Sequence, residues 1–323
     1  MAELVYAHDS KSCAARLVGS TPTLGIMQKI LVILGPTAVG KSDLAVALAK
    51  RFRGEIISAD SRQVYQGLNL GTGKITKVEM KGIPHYLLDV VSPKKQFTAA
   101  EYKTLAENKI ENILKRNKLP VIVGGTPFYI QAIVDNITFP EVMPNLKLRK
   151  KLSKLSTAKL FEMLKKIDPA RAKTIEAKNP RRLIRAIEIT KALGKVPTLR
   201  PKSKYNSLLI GLALPDKKLK ERIYERLLAR IKKGMILEAK RLHEQGLSYK
   251  RMEELGLEYR YLALYLQKKL AKQEMVEKLS RAIWDFVRRQ KGWWKRDKRI
   301  KWFDVPKKNN LNKIEKTVKK FLR

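Results

Sequence analysis

The sequence predicts an α/β protein in which a parallel sheet is flanked by helices, with a helical insertion and a helical C-terminal part. Two observations support this class. Short apolar segments rich in Ile and Val alternate with segments of helical periodicity in the first half of the chain, which is typical of a parallel sheet covered on both faces. A glycine-rich loop also follows the first apolar segment and opens a helix, so the sheet is of the P-loop type.

The predicted elements of the first half follow one another in regular order. Strands are predicted at Lys29–Leu34, Glu55–Ser58, Tyr86–Val91 and Pro120–Val123, and helices at Ser42–Lys50 and Thr98–Arg116. Ligands bind at the carboxyl ends of strands in such sheets. Three predicted strands are followed by candidate site residues, namely Gly35–Ser42, Asp60 and Thr126. We therefore expect these residues to lie together at the carboxyl edge of the sheet.

The second half changes character. From about Pro140 to Lys204 the pattern is of Lys/Arg-rich helices without strands, and Ser207–Leu214 returns to a strand. Helices follow from Leu219 to Leu242 and from about Arg251 to Lys295, before a short strand at Ile300–Val305. The chain thus divides into an N-terminal extension (1–28), a P-loop α/β core (29–140), a helical insertion (141–204) and a return to the core with a basic helical C-terminal part (205–323).

The N-terminal extension has no apolar periodicity before the first strand, so it is predicted to be either disordered or mis-annotated. Val18–Thr23 can be back-translated as GTG GGT TCG ACT CCC ACC, which resembles the T-arm of a tRNA gene. Our hypothesis is an in-frame read-through of a neighbouring tRNA gene, with Met27 as the true start. We selected these codons from several synonymous ones, so only the DNA sequence of the gene can test the hypothesis.

The charge balance is strongly basic, with 70 Lys and Arg against 30 Asp and Glu and a net charge of +40. An excess of this size favours binding to a polyanion such as a nucleic acid, although a lysine-rich proteome would also produce it. The single cysteine excludes an internal disulfide and a cysteine-based zinc site. No apolar run is long enough for a membrane span, and the predicted location is the cytoplasm.

The glycine-rich loop fits the P-loop pattern in full. Its backbone N–H groups would face phosphate oxygens at a helix N-terminus, Lys41 would add a charge, and the Ser42 hydroxyl would bind Mg²⁺. The loop consists of Gly35, Pro36, Thr37, Ala38, Val39, Gly40, Lys41 and Ser42. The pattern predicts phosphate binding but does not say which bond is broken.

Two strand ends supply further candidates. Asp60 ends the second strand and could hold Mg²⁺ through water or accept a proton, unless it is only a turn residue. Thr126 follows Gly124-Gly125, which permits close backbone approach, so its hydroxyl could face the cleft. The alternative is that Thr126 only caps the next helix.

Basic helices in the second half are candidates for RNA contact. Arg181 and Arg185 lie four residues apart on one helical face, as phosphate-binding residues would, although a solvated basic face is the alternative. Arg222, Arg226 and Arg230 share the same spacing, and one of them could reach the P-loop. Between Trp284 and Arg296, tryptophans mix with cations, which suits either stacking on RNA bases or core packing.

These segments together resemble the tRNA dimethylallyltransferases, also called tRNA isopentenyltransferases, of the bacterial type. The resemblance covers about residues 29–305, and its parts occur in family order. The matching segments are Gly35–Ser42, Ile57–Tyr65, Gly71–Lys74, His85–Asp89, Val123–Thr126 with Tyr129, Asn179–Glu188, Arg222 with Arg226, and Arg288–Gln290 with Trp293.

The resemblance implies transfer of a dimethylallyl group from dimethylallyl diphosphate to N6 of the adenosine on the 3′ side of the anticodon. The P-loop would then hold a diphosphate leaving group rather than ATP, with Mg²⁺ as cofactor. Asp60 matches the general base, Thr37 and Thr126 match substrate-contacting threonines, and Arg226 matches a diphosphate ligand. The base must leave its stack to react.

The resemblance also implies a tRNA-binding surface, centred on the helical insertion and directed at the anticodon stem-loop. The positions that match it are Asp60, Ser61, Arg62, Gln63, Arg149, Arg181, Arg182, Leu183, Ile184 and Arg185. A monomer is expected.

The chain departs from the family pattern at two places. Leu255-Gly-Leu-Glu258 stands where Ile-Gly-Tyr followed by Lys or Arg is common, and Arg230 stands where Met is common. Contacts with tRNA in the first stretch are therefore in doubt. Two rival hypotheses stay open: a kinase that transfers from ATP, and a basic RNA-binding protein whose P-loop only senses a nucleotide.

Overall fold

The computed structural model describes residues 27–197, 203–305 and 308–323. Residues 1–26 lie outside the described residues, and so does the hypothesis about the start of the chain. None of the helices in the described ranges is both long and apolar enough to cross a bilayer.

A six-stranded sheet forms the centre of the described chain, and all of its pairings are parallel. The strand order is β3-β2-β4-β1-β5-β6. The strands are β1 (Lys29–Leu34), β2 (Gly54–Ser58), β3 (His85–Tyr86), β4 (Leu119–Gly124), β5 (Asn206–Ala213) and β6 (Lys301–Asp304). The predicted fold class is thereby confirmed. Strand β1 lies in the interior of the sheet, between β4 and β5, and its side chains from Ile30 to Leu34 are fully buried.

Helices cover the sheet and form the insertion and the C-terminal part. They are α1 (Lys41–Arg51), α2 (Lys77–Met80), α3 (Ala99–Lys115), α4 (Pro127–Val134), α5 (Leu146–Leu152), α6 (Thr157–Ile167), α7 (Pro169–Ala172), α8 (Pro180–Leu193), α9 (Asp216–Lys232), α10 (Met235–Glu244), α11 (Tyr249–Leu255), α12 (Leu257–Leu266), α13 (Lys272–Trp294) and α14 (Lys308–Leu322). Helices α5 to α8 have a small apolar core of their own that includes Leu152, Leu160 and Leu183.

Three predicted elements are wrong in extent. The strand expected at Tyr86–Val91 stops at Tyr86, because Leu87 and Asp89 adopt positive φ angles of 62° and 55°, which extended strands do not allow. The long helix expected from Leu219 to Leu242 breaks at Gly234, where φ is +101°. The helix expected from Arg251 to Lys295 is divided into α11, α12 and α13, first at Gly256.

Candidate active site

Three strand ends meet at the carboxyl edge of the sheet, as expected. Leu34 lies beside Gly124, and Ser58 lies beside Val123, in the parallel register. The segments that follow β1, β2 and β4 therefore reach the same edge. The chain leaves β1 towards β2 and leaves β4 towards β5, so a crevice opens between β1 and β4 where the direction of winding reverses. Ligands of open α/β sheets bind at such a point.

The P-loop fills this crevice and depends on its glycines. Gly35 has a φ of +142°, and a Cβ there would lie 2.6 Å from the Leu212 carbonyl oxygen. Gly40 precedes the first turn of α1 with a φ of +101°. Both positions require glycine because other side chains would clash or be strained. The N-terminus of α1 therefore points into the cleft, where its dipole favours anions.

Lys41 is half-buried and bent back over its own loop. Its ammonium group donates a 2.6 Å hydrogen bond to the Pro36 carbonyl oxygen. Burial lowers the pKa of Lys41 to about 8, the nearby Asp60 carboxylate opposes that shift, and Arg226 adds to it. Lys41 is therefore charged at neutral pH but loses its proton in mildly alkaline solution.

Gln290 joins the P-loop to the turn after β4. The Thr37 N–H donates to Gln290 Oε1 at 3.1 Å, and Gln290 Nε2 donates to the Gly125 carbonyl oxygen at 2.6 Å. The side chain is 2% exposed, so these bonds are shielded from water. Sequence reasoning gave Gln290 no role, although a polar residue in register with Ile283, Val287 and Trp294 on an apolar helical face was a usable signal.

We expect Gln290→Met to lower both the thermal stability of the protein and its affinity for diphosphate. The substitution leaves the Thr37 N–H and the Gly125 carbonyl without their partner, and each unsatisfied buried group costs about 1–3 kcal/mol. Thermal unfolding should show a lower Tm, and the affinity for inorganic diphosphate should fall. An unchanged affinity would mean that Gln290 does not shape the P-loop.

Asp60 and Thr126 lie in one hydrogen-bonded turn. Asp60 Oδ1 accepts from the backbone N–H groups of Arg62 at 2.8 Å and Gln63 at 3.3 Å. Thr126 Oγ1 accepts from the Ser61 N–H at 3.0 Å and donates to Ser61 Oγ at 3.3 Å. Thr126 occupies the N-cap of α4, but its side chain makes no capping bond. Among the described residues Asp60 Oδ2 has no partner, so this oxygen is available to a ligand.

The three arginines on α9 have different surroundings. Arg222 donates to the Ala38 carbonyl oxygen at 3.4 Å. Arg230 contacts Glu258 and the loop around Gly71. Within the described residues the Arg226 guanidinium has no acceptor, and it lines the same cleft as the P-loop. Arg226 is therefore the arginine of this row that is available to a bound anion.

The cleft has a volume of about 1710 Å³, large enough for more than a small diphosphate. Ser42, Asp60, Arg62, Gln63 and Thr126 all line it. No group of three or more His, Cys, Asp or Glu side chains that could hold a metal occurs in the described ranges. The Ser42 hydroxyl and the Asp60 carboxylate, which both line the cleft, are oxygen donors that suit Mg²⁺ when it takes most of its ligands from substrate phosphates and water.

The basic residues of the insertion converge on a buried carboxylate. Glu188, which is 2% exposed, accepts from Arg149 at 2.7 Å and from Arg185 at 2.5 Å. Arg185 also donates to the Val142 carbonyl oxygen at 2.9 Å. The pKa of Glu188 is lowered to about 2, because these arginines and the Asn145 N–H outweigh the opposing effect of burial. The predicted RNA-facing arginines are thus also bonded within the protein, an arrangement sequence reasoning missed.

The remaining candidates in this insertion differ in exposure. Arg181 and Arg182 are exposed, and Arg182 pairs with Glu176 at 2.9 Å. Leu183 is fully buried in the core of the insertion, and Ile184 packs against that core. The side chain of Leu183 therefore has a packing role and is not accessible to an RNA.

The tryptophans near the end of α13 favour the packing alternative. Trp294 is 2% exposed, and Trp284 and Trp293 pack against the main core. Lys220 lies over the Trp284 ring at 4.7 Å from its centroid. RNA stacking on Trp294 is excluded by its burial.

The chain is similar to one known family of proteins. A family model described as IPP transferase matches residues 63–297. The tRNA dimethylallyltransferase of Anoxybacillus flavithermus is 42% identical over 284 residues, which are 86% of this chain and 91% of the relative. That of Halothermothrix orenii is 38% identical over 304 residues, covering 91% of this chain and 92% of the relative.

Solved structures give the same result. The tRNA isopentenylpyrophosphate transferase of Bacillus halodurans superposes with a TM-score of 0.70 at 34% identity, over 91% of this chain and 96% of that one. A eukaryotic dimethylallyltransferase acting on tRNA superposes with a TM-score of 0.80 at 26% identity, over 91% and 79% of the two chains. The family model matches most of this chain, and the relatives are about 40% identical to it. This chain therefore belongs to the IPP transferase family.

Proposed function

We infer that this protein transfers a dimethylallyl group from dimethylallyl diphosphate to N6 of the adenosine 3′-adjacent to the anticodon of a tRNA. The observation that carries the proposal is that one cleft joins a complete phosphate cradle, Gly35–Ser42, to an available carboxylate oxygen on Asp60. The first feature suits a departing diphosphate and the second suits proton removal from an acceptor. The family membership established above agrees with both.

The P-loop would hold the diphosphate of the donor. Its backbone amides, the α1 dipole, Lys41 and Arg226 all place positive charge where negative charge grows as the allylic C–O bond breaks. Groups fixed in advance at such a position stabilise the transition state most effectively. Because this cradle holds the leaving group, the reaction consumes no ATP.

The acceptor side would be formed by Asp60 and Thr126. In the proposed step, N6 of adenine forms a bond to C1 of the dimethylallyl group, the C1–O bond breaks, and diphosphate leaves with the bonding electrons. Asp60 Oδ2 takes the proton from N6. The hydroxyl of Thr126, held by Ser61, keeps the turn that carries Asp60 in place. The adenine must be turned out of its stack to enter the cleft.

The family uses a diphosphate substrate, and such substrates generally bind with a divalent metal. We propose Mg²⁺, held by the Ser42 hydroxyl and by oxygens of the donor diphosphate, which would add charge compensation for the leaving group. Ser42 lies in the first turn of α1 and lines the cleft beside Lys41.

The tRNA would lie over the helical insertion, residues 141–204, which we propose as the tRNA-binding part. Exposed Arg181 and Arg182 supply charge at the N-terminal end of α8, while Arg62 and Gln63 line the mouth of the cleft. These groups fit the anticodon stem-loop, whose unpaired bases can be splayed out. We further propose that the protein acts as a monomer in the cytoplasm, where tRNA is found.

The direct test incubates the protein with tRNA and labelled dimethylallyl diphosphate and analyses the digested RNA for prenylated adenosine. Label at N6 of the adenosine beside the anticodon is the expected result. Stoichiometric ATP consumption during turnover would support the kinase hypothesis instead. Tight tRNA binding with no labelled product would support the binding-protein hypothesis.

The arginines of the insertion give a second test. We expect Arg181→Ala to weaken tRNA binding and to lower the slope of log K against log salt by about 1, because one phosphate contact is lost. Arg185→Ala should have a larger effect, since it also leaves the buried Glu188 with one arginine fewer. Donor affinity should not change in either variant. Lys240→Ala, an exposed change on α10, is the control.

An unchanged salt slope in the Arg181 variant would place that residue on a merely solvated face. An Arg185 variant that loses stability but keeps the slope would assign Arg185 to the insertion's internal bonding alone.

A further inference from the structure

A loop beside the cleft, residues 68–74, donates several backbone N–H groups to a single carboxylate. Glu238 of α10 accepts from the backbone N–H groups of Asn69, Leu70 and Gly71 at 3.0, 2.7 and 2.9 Å. It also accepts from the Tyr259 hydroxyl at 2.7 Å. Three convergent amides make an anion-binding concavity, and here the protein fills it with its own side chain. The loop is thereby fixed to α10 and α12.

Arg230 binds the backbone carbonyl groups of the same loop. Its Nη1 donates to the carbonyl oxygens of Leu70 at 3.3 Å and Gly71 at 2.7 Å. Arg230 also forms an ion pair with Glu258 at 3.3 Å, and the two side chains are only 17% and 14% exposed. Glu258 lies in the first turn of α12. This ion pair therefore joins α9 to the N-terminal end of α12 beside the loop.

The position of this loop bears directly on the diphosphate site. A Cβ at Gly73 would lie 3.6 Å from Arg230 Nη1 and 3.9 Å from Arg226 Nη2, so both guanidinium groups flank the same residue. Gln63, two residues beyond the Asp60-Ser61 turn, donates weakly to the Gly73 carbonyl at 3.5 Å. Two arginines thus stand beside one another at the cleft, and only Arg230 has a carboxylate partner among the described residues.

We propose that Arg230 and Glu258 are a positioning pair for the transfer reaction. Glu258 neutralises Arg230 and keeps it on the loop carbonyls, so that Arg226 is the guanidinium that meets the diphosphate. This inference rests on the proposed function. Without Glu258 the Arg230 charge would be free to turn towards the diphosphate, and the product would be held too tightly while the loop lost its carbonyl-side support.

The test measures the affinity for inorganic diphosphate by calorimetry, and kcat with tRNA and dimethylallyl diphosphate. In Glu258→Gln we expect diphosphate to bind roughly tenfold more tightly, because one charge-assisted contact is gained, and kcat to fall roughly tenfold as the loop is misplaced. In the double variant Glu258→Gln with Arg230→Met, the diphosphate affinity should return to that of the unaltered protein while kcat stays low. A residue with a merely structural role would not tighten diphosphate binding.

Glu244→Gln is the matched control, since it neutralises an exposed carboxylate that pairs only loosely with Lys240 on α10, and neither quantity should change. Diphosphate affinity that is unchanged or weaker in Glu258→Gln overturns the proposal. Loss of one member of a buried pair can prevent folding, and the double variant then decides, because full kcat in it would exclude a positioning role. The calorimetric measurement needs no reaction, whereas absence of prenylated tRNA from the unaltered protein would overturn the proposed function itself.

Discussion

Asp60→Asn should lower the single-turnover rate of prenyl transfer by roughly 10²–10⁴-fold, the usual contribution of a positioned general base. The asparagine keeps an oxygen that can accept from the Arg62 and Gln63 N–H groups, which hold the turn in place. It cannot, however, accept the proton from N6. Binding of tRNA and of dimethylallyl diphosphate should therefore change little, and rapid-quench kinetics at saturating substrates should isolate the loss in the chemical step.

Asp304→Asn is the matched control, because Asp304 is an exposed carboxylate at another part of the same cleft. It changes the charge of the cleft equally without touching the turn after β2, and its rate should stay near normal. Rescue of Asp60→Asn by added Mg²⁺, together with weaker diphosphate binding, would assign Asp60 to metal binding rather than to proton transfer.

Lys41→Ala should reduce the single-turnover rate by roughly 10²–10³-fold, since a preorganised charge at the departing diphosphate is lost. Affinity for tRNA should remain near normal, because Lys41 lies inside the P-loop and half-buried. Filter binding of labelled tRNA, measured beside the transfer rate, separates the two effects. Equal losses in rate and in tRNA affinity would indicate that the variant has damaged the fold.

The same lysine gives a pH dependence whose sign follows from its pKa. In the absence of a ligand the pKa of Lys41 is about 8, so below that pH the ammonium form is present and diphosphate affinity is full. Above it the neutral amine predominates, and affinity should fall by up to roughly tenfold per pH unit. The Lys41→Ala variant should lack the part of the pH dependence that comes from Lys41. Any change in its affinity with pH then reports the titration of diphosphate itself, which can be subtracted. Parallel profiles in the two proteins would contradict the assignment.

Features that depend on neighbours in the chain were predictable. The P-loop needs a glycine spacing, a lysine and a serine within eight consecutive positions, so its conformation follows from local sterics. Strands β1, β2 and β4 are buried on both faces and therefore appear as continuous apolar runs. Their parallel order brings Gly35–Ser42, Asp60 and Thr126 to one edge, which is the arrangement the structure shows.

The contacts that complete the site join residues far apart in the chain. Gln290 reaches Thr37 across 253 positions, and Arg230 reaches Gly71 across 159. Glu188 attracts Arg149 from 39 positions away, so arginines expected only to face RNA are also bonded internally. No periodicity or motif encodes which of many basic side chains meets a given carboxylate, because the pairing depends on how helices dock.

Local sequence patterns were enough to predict the α/β class, the phosphate cradle and the strand ends that carry Asp60 and Thr126. Each of these rests on hydrogen bonding, steric limits or apolar periodicity within a short stretch. The packing of the helices was needed to show that Trp294 and Leu183 are buried, that Gln290 bridges two loops and that Glu258 pairs with Arg230. Those outcomes depend on which helix faces are packed together, and burial then dictates that each enclosed polar group finds a partner.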